Sequence, residues 1–182
     1  MYSVRLHGRG GQGIVTTAEL LAVAVFGEGG HAQAFPTFGS ERTGAPVAAY
    51  CRIGSVPIRT HEPIDAPDAL IVADATLFDQ LDVLAGLRPD GLVIVDGTTC
   101  PTALAGRVGV GLVPASIIAR RLIGRPVPGT ALLGAFAARS GRVGLPALVA
   151  AIHDRFPAAV AKANAAAARE AYDQVLAEVA HA

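Results

Sequence analysis

The stretch that decides the fold is LHGRGGQGIVTTAELLAVAV, residues 6–25. Four glycines fall within its first eight residues, and apolar residues then recur at the helical spacing i, i+4, i+7 and i+11, namely Ile14, Ala18, Leu21 and Val25. The residues before it, Tyr2–Leu6, alternate as a strand does. A strand, a glycine turn and a helix form the context in which free backbone N–H groups at a helix start bind an anion.

The glycine turn also satisfies the dinucleotide pattern G-x-G-x-x-G, through Gly8, Gly10 and Gly13. NAD sites expect an acidic residue about 20 positions further on, at the end of the second strand, to bind the ribose hydroxyls. The corresponding segment, HAQAFPTF (31–38), contains none, and no P-loop lysine follows the glycines. Two interpretations remain open, a phosphate-binding loop and a turn that only permits close packing of helix on strand.

The rest of the chain alternates strands and helices. The apolar runs ALIVADA (69–75) and GLVIVDG (91–97) predict parallel strands covered on both faces. A helix over 77–87 would complete a βαβ unit between them. Further strands are predicted at 31–35, 47–53 and 107–114, and the chain becomes helical from Thr130. We therefore predict one Rossmann-like α/β domain over residues 1–182, with three layers, a mostly parallel sheet and a helical C-terminal segment.

Composition argues against several classes of partner. The 182 residues are 52% hydrophobic and 16% charged, with 15 basic and 15 acidic side chains. A net charge of zero gives no electrostatic basis for binding nucleic acid or an anionic membrane. No stretch reaches the 18 or so apolar residues of a membrane span, and the N-terminal MYSVRLHG has no features of a secretory signal. We expect a cytoplasmic protein without nucleic-acid or membrane partners.

The cysteine content excludes a self-contained redox cluster. The chain has two cysteines, Cys51 and Cys100, and a Cys-ligated iron–sulfur cluster usually takes four. They lie in no CxxC motif and have no histidine at metal-binding spacing, so we predict no metal site. We expect both to be ordinary buried residues.

Two long segments, LHGRGGQGIVTTAELLA (6–22) and AQAFPTFGSERTGAPVAAYCRI (32–53), resemble the gamma subunit, or fused gamma domain, of 2-oxoacid:ferredoxin oxidoreductases, the pyruvate:ferredoxin oxidoreductase group. The segments PDALIVAD (67–74) and VPASIIARRLIGRPVPGTALLGAFAARSG (113–141) match the family in the same order. The sequence departs from the family at Thr43, where arginine is common, at Gly129, where asparagine is usual, and in the turn VDGTT (95–99). These departures bear on which 2-oxoacid and which electron acceptor the complex uses, and not on membership of the family.

The resemblance implies a role within a larger enzyme. Such complexes oxidatively decarboxylate a 2-oxoacid to an acyl-CoA with thiamine diphosphate, magnesium and iron–sulfur clusters, which alpha, beta and delta-type subunits hold, and they pass electrons to ferredoxin. The gamma subunit has a Rossmann-like fold and helps to form the coenzyme A side of the active site. The isolated chain is then expected to be inactive, with no catalytic residue of its own. The alternatives are a stand-alone coenzyme A or nucleotide-binding protein, and a gamma subunit for an aromatic 2-oxoacid such as indolepyruvate or phenylglyoxylate.

Two groups of residues are the candidate binding site. The first is the glycine turn, expected to contact the pyrophosphate of coenzyme A: Gly8, Arg9, Gly10, Gly11, Gln12 and Gly13. The second is the loop after the second strand, where Ser40, Glu41 and Arg42 are expected at the active site or at a subunit interface. Asp74, with Thr76 behind it, is expected to cap the next helix. The histidines His7, His31 and His61 have no evident carboxylate partner and are expected to be structural.

Overall fold

The computed structural model describes residues 1–37, 43–60 and 62–180. Within these ranges the chain forms one sheet of six strands and five α-helices. The strands are β1 (Tyr2–Arg9), β2 (His31–Pro36), β3 (Pro46–Gly54), β4 (Ala69–Val72), β5 (Leu92–Asp96) and β6 (Val110–Val113). The helices are α1 (Ile14–Gly27), α2 (Ala115–Ile123), α3 (Gly129–Ser140), α4 (Leu145–Arg155) and α5 (Ala158–Ala180). No helix in the described ranges is long and apolar enough to cross a bilayer.

The sheet has the strand order β2-β3-β1-β4-β5-β6. Strands β1, β4, β5 and β6 run parallel, which confirms the predicted mostly parallel sheet. Strand β3 is antiparallel to both of its neighbours, β1 and β2. The connection between β2 and β3 is too short for a helical crossover, so these two strands pair as a hairpin.

All five α-helices lie on one face of the sheet and enclose the main core. Alternate residues of β1, such as Val4 and Leu6, point into this core with no exposed surface. Ile14, Ala18, Leu21 and Val25 of α1 are buried there, as their spacing predicted. Helices α3 and α5 approach so closely that a Cβ on Gly134 would overlap the carbonyl oxygen of Ala168. Alanine-rich α5 supplies the small side chains that such an approach needs.

The opposite face is covered by 3₁₀ turns and irregular segments over a smaller apolar cluster. The predicted helix over 77–87 is wrong: the chain makes one 3₁₀ turn, Ala75–Asp79, and continues in tight turns. A buried side chain explains the difference. Arg5 points from β1 to this face, and its guanidinium donates to the carbonyl oxygens of Val83 (3.0 Å) and Ala85 (2.6 Å). These acceptors face Arg5 because a buried guanidinium must be satisfied, and the backbone therefore does not close into an α-helix.

Candidate functional site

The glycine turn joins the carboxyl end of β1 to the start of α1. Gly13, the residue before the helix, has φ 75°, and Gly11 has φ 96°, both in the left-handed region. Gly8 has no room for a side chain, because a Cβ there would overlap Ile14. The left-handed backbone favours glycine at positions 11 and 13 whatever the turn binds, and at position 8 a larger residue would have to displace the Ile14 side chain.

Hydrogen bonds hold the turn in a fixed shape. The Oε1 atom of Gln12 accepts the N–H of Arg9 at 2.7 Å, while the N–H of Gln12 donates to the Arg9 carbonyl at 3.0 Å. Gly10 donates to the carbonyl of Ala45 at 2.9 Å and accepts from the N–H of Gly44 at 3.1 Å. The segment that leads into β3 is therefore attached directly to the glycine turn.

Arg9 connects three parts of this edge. Its Nε donates to Oδ2 of Asp74 at 2.7 Å, and its terminal nitrogens donate to the hydroxyl of Thr76 (2.7 Å) and to the carbonyl of Gly44 (3.2 Å). The Thr76 hydroxyl in turn donates to Oδ1 of Asp74 at 2.5 Å. Nε and both terminal nitrogens of Arg9 are thus each engaged by a group of its own chain.

The electrostatics at Asp74 match this arrangement. Partial burial would raise the pKa of the carboxyl group, but hydrogen bonds from Thr76 and Arg9 outweigh burial and lower the pKa below its usual value. The carboxylate is therefore ionised at neutral pH and offsets the charge of Arg9. The N–H of Thr76 also donates to Oδ1 at 3.0 Å, which confirms Asp74 as a cap, here of a 3₁₀ turn.

The start of α1 differs from two other helix starts. Asp96, which ends β5, accepts the backbone N–H of Ser116 in α2 at 3.0 Å and its hydroxyl as well. Glu28 accepts the N–H of Gly144, at the start of α4, at 2.9 Å. In α1 the first turn has no acidic residue, and within the described ranges no group accepts the N–H of residues 14–16. These donors are available to an anion from outside the chain.

A cleft of about 290 Å³ opens at this helix start. Its walls are formed by the glycine turn, the first turn of α1 and one residue of β3, namely Arg9, Gly10, Gly11, Gly13, Ile14, Val15, Thr16 and Val47. Four of the six turn residues predicted from sequence therefore line one cavity at the carboxyl edge of the parallel strands, whereas Gly8 and Gln12 do not line it. This is the edge at which open α/β sheets bind ligands.

The second predicted group, Ser40, Glu41 and Arg42, lies outside the described residues, as does His61. Thr43, the next described residue, forms an isolated bridge with Gly10. The sequence correctly placed Asp74 and Asp96 at strand ends, but it did not reveal the bonds from Asp74 to Arg9 or from Asp96 to Ser116. The signal in the sequence for these two bonds was an acidic residue at the end of an apolar run, which does not identify its hydrogen-bond partner.

Two buried titratable side chains, His7 and Cys51, have shifted pKa values. Burial, followed by the charge of Arg5, lowers the pKa of His7 to about 4, and the neutral imidazole accepts a hydrogen bond from Nε of Arg5 at 3.0 Å. Burial raises the pKa of the Cys51 thiol to about 12. Cys100 is exposed, so the expectation that both cysteines are buried is wrong for it. It lies in the segment between β5 and β6. The described residues contain no group of three or more His, Cys, Asp or Glu side chains that could hold a metal.

Comparison with known proteins identifies the family. Residues 3–174 match the family model described as pyruvate ferredoxin/flavodoxin oxidoreductase. The chain is 43% identical to pyruvate synthase subunit PorC of Methanothermobacter thermautotrophicus, covering 96% of both chains. It is 44% identical to the pyruvate/ketoisovalerate oxidoreductases common subunit gamma of Pyrococcus furiosus, covering 96% of this chain and 97% of the relative.

A crystal structure shares the same fold. The pyruvate oxidoreductase subunit PORC of Thermotoga maritima superposes with a TM-score of 0.81 at 35% identity, over 94% of this chain and 95% of that one. The relatives carry subunit names, and the similarity covers 94% or more of this chain and of each of them. On this evidence, the chain belongs to the pyruvate ferredoxin/flavodoxin oxidoreductase family.

Proposed function

We propose that this chain is the gamma subunit of a multi-subunit oxidoreductase that oxidatively decarboxylates a 2-oxoacid to an acyl-CoA. The observation that carries the proposal is the 43% identity to a pyruvate synthase subunit over 96% of both chains. The names of the relatives favour pyruvate or a short branched 2-oxoacid over the aromatic substrates. Partner chains of the alpha, beta and delta type complete the enzyme, and ferredoxin or another carrier takes its electrons.

The cofactors of such a complex do not fit this chain. Its two cysteines are half the usual ligand number of a Cys-ligated cluster, and one of them, Cys51, is buried with a raised pKa. The iron–sulfur clusters are therefore assigned to the partner chains, and the family resemblance assigns thiamine diphosphate and magnesium to them as well; these groups supply the electron-transfer and decarboxylation chemistry. The role left to this chain is to contribute to the coenzyme A side of the active site and to the assembly of the subunits.

The cleft at the start of α1 is the proposed contact for coenzyme A. The unpaired N–H groups of residues 14–16 and the positive end of the helix dipole attract a phosphate group. The left-handed Gly11 leaves open space, with no atom within 4 Å of a Cβ built there, so a phosphate can approach the backbone closely. Gly8, Gly10 and Gly13 shape the turn, whereas Arg9 and Gln12 fix its conformation. Ser40, Glu41 and Arg42, which precede Thr43 in the chain, are proposed to act at the active site or at a subunit interface.

The charge at position 11 offers a direct test in the assembled complex. We expect Gly11→Asp to raise the KM for coenzyme A about tenfold, since a carboxylate at the helix start competes with the phosphate for the same N–H groups. Gly11→Asn has nearly the same size and tolerates the left-handed backbone, so it should raise this KM less. The matched control is Gly29→Asp beyond the other end of α1, where φ is 80° and a Cβ also meets nothing within 4 Å.

The complexes must be compared at equal thiamine and iron content. Gly29→Asp is expected to retain the wild-type KM for coenzyme A. Equal KM values for wild type and Gly11→Asp in fully assembled complexes would exclude a phosphate at this helix start. An isolated wild-type chain that binds coenzyme A tightly and joins no larger complex would instead favour the stand-alone binding protein.

A further inference from the structure

The outward face of α1 is unusually apolar. The helix has one charged residue among its 14, Glu19. Val23 is 49% exposed and Phe26 is 72% exposed, although both side chains are hydrophobic. Positions 19, 23 and 26 lie on one stripe of a helix, one or two turns apart. Large apolar side chains exposed one turn apart on a helix are typical of a surface that another molecule covers, and Val23 and Phe26 form such a pair.

The stripe borders a groove between α1 and α4 with a volume of about 360 Å³. We call it the α1–α4 groove, lined by Glu19, Leu20, Val23, Ala151, Asp154 and Arg155. Leu20 and Ala151 form its buried floor, each 3% exposed, and Val23 forms one wall. The floor is thus apolar, and the charged groups stand at the rim.

The charges at the rim indicate the chemistry of the occupant. Within the described ranges neither Glu19 nor Asp154 takes part in an ion pair. The guanidinium of Arg155 lies 5.7 Å from the ring centroid of its own neighbour Phe156. Two carboxylates and one guanidinium leave the rim negative. A segment that places a bulky apolar side chain on the floor and a lysine or arginine at the rim would complement both features.

A second copy of this chain does not complement the groove. A two-fold dimer brings the same patch of both copies together, so Glu19 and Asp154 of one copy would approach the same negative rim of the other. The charge at the contact would double instead of being neutralised. The groove therefore favours a different chain.

We propose that the α1–α4 groove docks a positively charged, apolar segment of a sister subunit in the oxidoreductase complex, an inference that rests on the proposed function. Helix α1 then has two roles, since its start opens onto the candidate coenzyme cleft and its outer face binds the sister chain. Docking on α1 would hold the cleft in a fixed position relative to the rest of the enzyme.

A competition for incorporation tests this docking surface. Wild-type chain with one affinity tag and a variant with another are co-expressed in equal amounts with the sister subunits, and their ratio in the purified complex is measured. We expect Val23→Asp to be under-represented by at least about tenfold, because it places a further carboxylate against an apolar contact. The double variant Glu19→Arg/Asp154→Arg should also be depleted. Both of these residues are exposed, so this variant keeps the test valid if Val23→Asp folds poorly.

The matched control is Val179→Asp near the end of α5, where the valine is 46% exposed. It should be incorporated as well as the wild type. Equal incorporation of wild type, Val23→Asp and the double variant would overturn the docking inference while leaving the proposed function intact. Failure of the wild-type chain to enter any complex would instead contradict the proposed function. A homodimer of the isolated chain that Val23→Asp abolishes would assign the groove to a second copy and overturn the proposal.

Discussion

Arg9 and Asp74 tie together the carboxyl ends of two neighbouring parallel strands: Nε of Arg9 lies 2.7 Å from Oδ2 of Asp74. Arg9 ends β1, and Asp74 follows β4 by two residues. Thr76 closes the network by accepting from Arg9 and donating to Asp74. One wall of the candidate cleft is therefore fixed by ionic hydrogen bonds rather than by packing alone.

Loss of this tie should reduce stability. We expect Arg9→Ala to lower the free energy of unfolding by about 1–3 kcal/mol, because it leaves Asp74 without its cationic partner. Chemical denaturation monitored by circular dichroism measures the change. Arg120→Ala is a suitable control, since Arg120 is exposed and its side chain forms no hydrogen bond within the described ranges; it should change stability by less than about 0.5 kcal/mol. Similar losses of unfolding free energy in the two variants would mean that the Arg9–Asp74 ion pair contributes nothing specific to stability.

Stability should fall in mild acid because of His7. Its pKa is about 4 in the folded chain, lowered by burial and by Arg5, against an ordinary value of 6.5. Between these values the unfolded chain binds a proton that the folded chain does not, so folding stability rises with pH. The histidine should account for a loss of about 3 kcal/mol between pH 7 and pH 4.

The variant His7→Gln isolates this contribution. Glutamine offers an acceptor to Arg5 but does not titrate, so the dependence of stability on pH should be flatter between pH 6.5 and 4. Denaturation curves of both proteins at several pH values provide the measurement. Parallel curves for wild type and variant would show that His7 does not carry the effect.

Much of the fold was predictable because its signals are local. The spacing of Ile14, Ala18, Leu21 and Val25 identified the buried face of α1, and the apolar runs identified β4 and β5. The absence of a helix at 77–87 was not predictable from the local sequence. It results from long-range hydrogen bonds from the buried Arg5 guanidinium to the carbonyls of Val83 and Ala85. The predicted C-terminal helix is confirmed as α5, but only some of the residues expected on its buried face are buried.

The C-terminal helix shows why helical spacing alone is ambiguous. Tyr172, Val175, Leu176 and Val179 follow the helical spacing i, i+3, i+4 and i+7, which predicts one apolar face, yet Leu176 is 47% and Val179 46% exposed. Alanines take the inner positions instead, because α3 approaches too closely at Gly134 for larger side chains. In the site, the glycine turn was recognisable from its residues. The Arg9–Asp74 tie was not, since the two residues are 65 positions apart and strand order brings them together.

The contact of α3 with α5 leads to a further prediction. Gly134→Ala should destabilise the fold by more than about 3 kcal/mol, because the new Cβ overlaps the carbonyl of Ala168 and neither helix backbone can easily move. Gly27→Ala, at the end of α1 where a Cβ meets nothing within 4 Å, is the matched control. It should be neutral or slightly stabilising. Thermal unfolding of both variants decides the point, and equal melting temperatures would contradict the close packing.

The two thiols should react very differently. Cys100 is exposed, whereas burial raises the pKa of Cys51 to about 12 and excludes reagents from it. We expect a thiol reagent at pH 8 to modify one cysteine quickly in the folded chain and both in denaturant. The variant Cys100→Ser should remove the fast reaction. Rapid modification of Cys100→Ser under native conditions would show that Cys51 is accessible.

Assay of the complex with and without this chain tests the central claim most directly. The sister subunits are expressed together, with or without the chain, and each purified preparation is assayed for acceptor reduction that depends on both pyruvate and coenzyme A. We predict that the activity requires the chain in physical association with its sister subunits, and that the chain alone shows none. Turnover by the purified chain alone, or undiminished turnover by the sister subunits without it, would contradict the account.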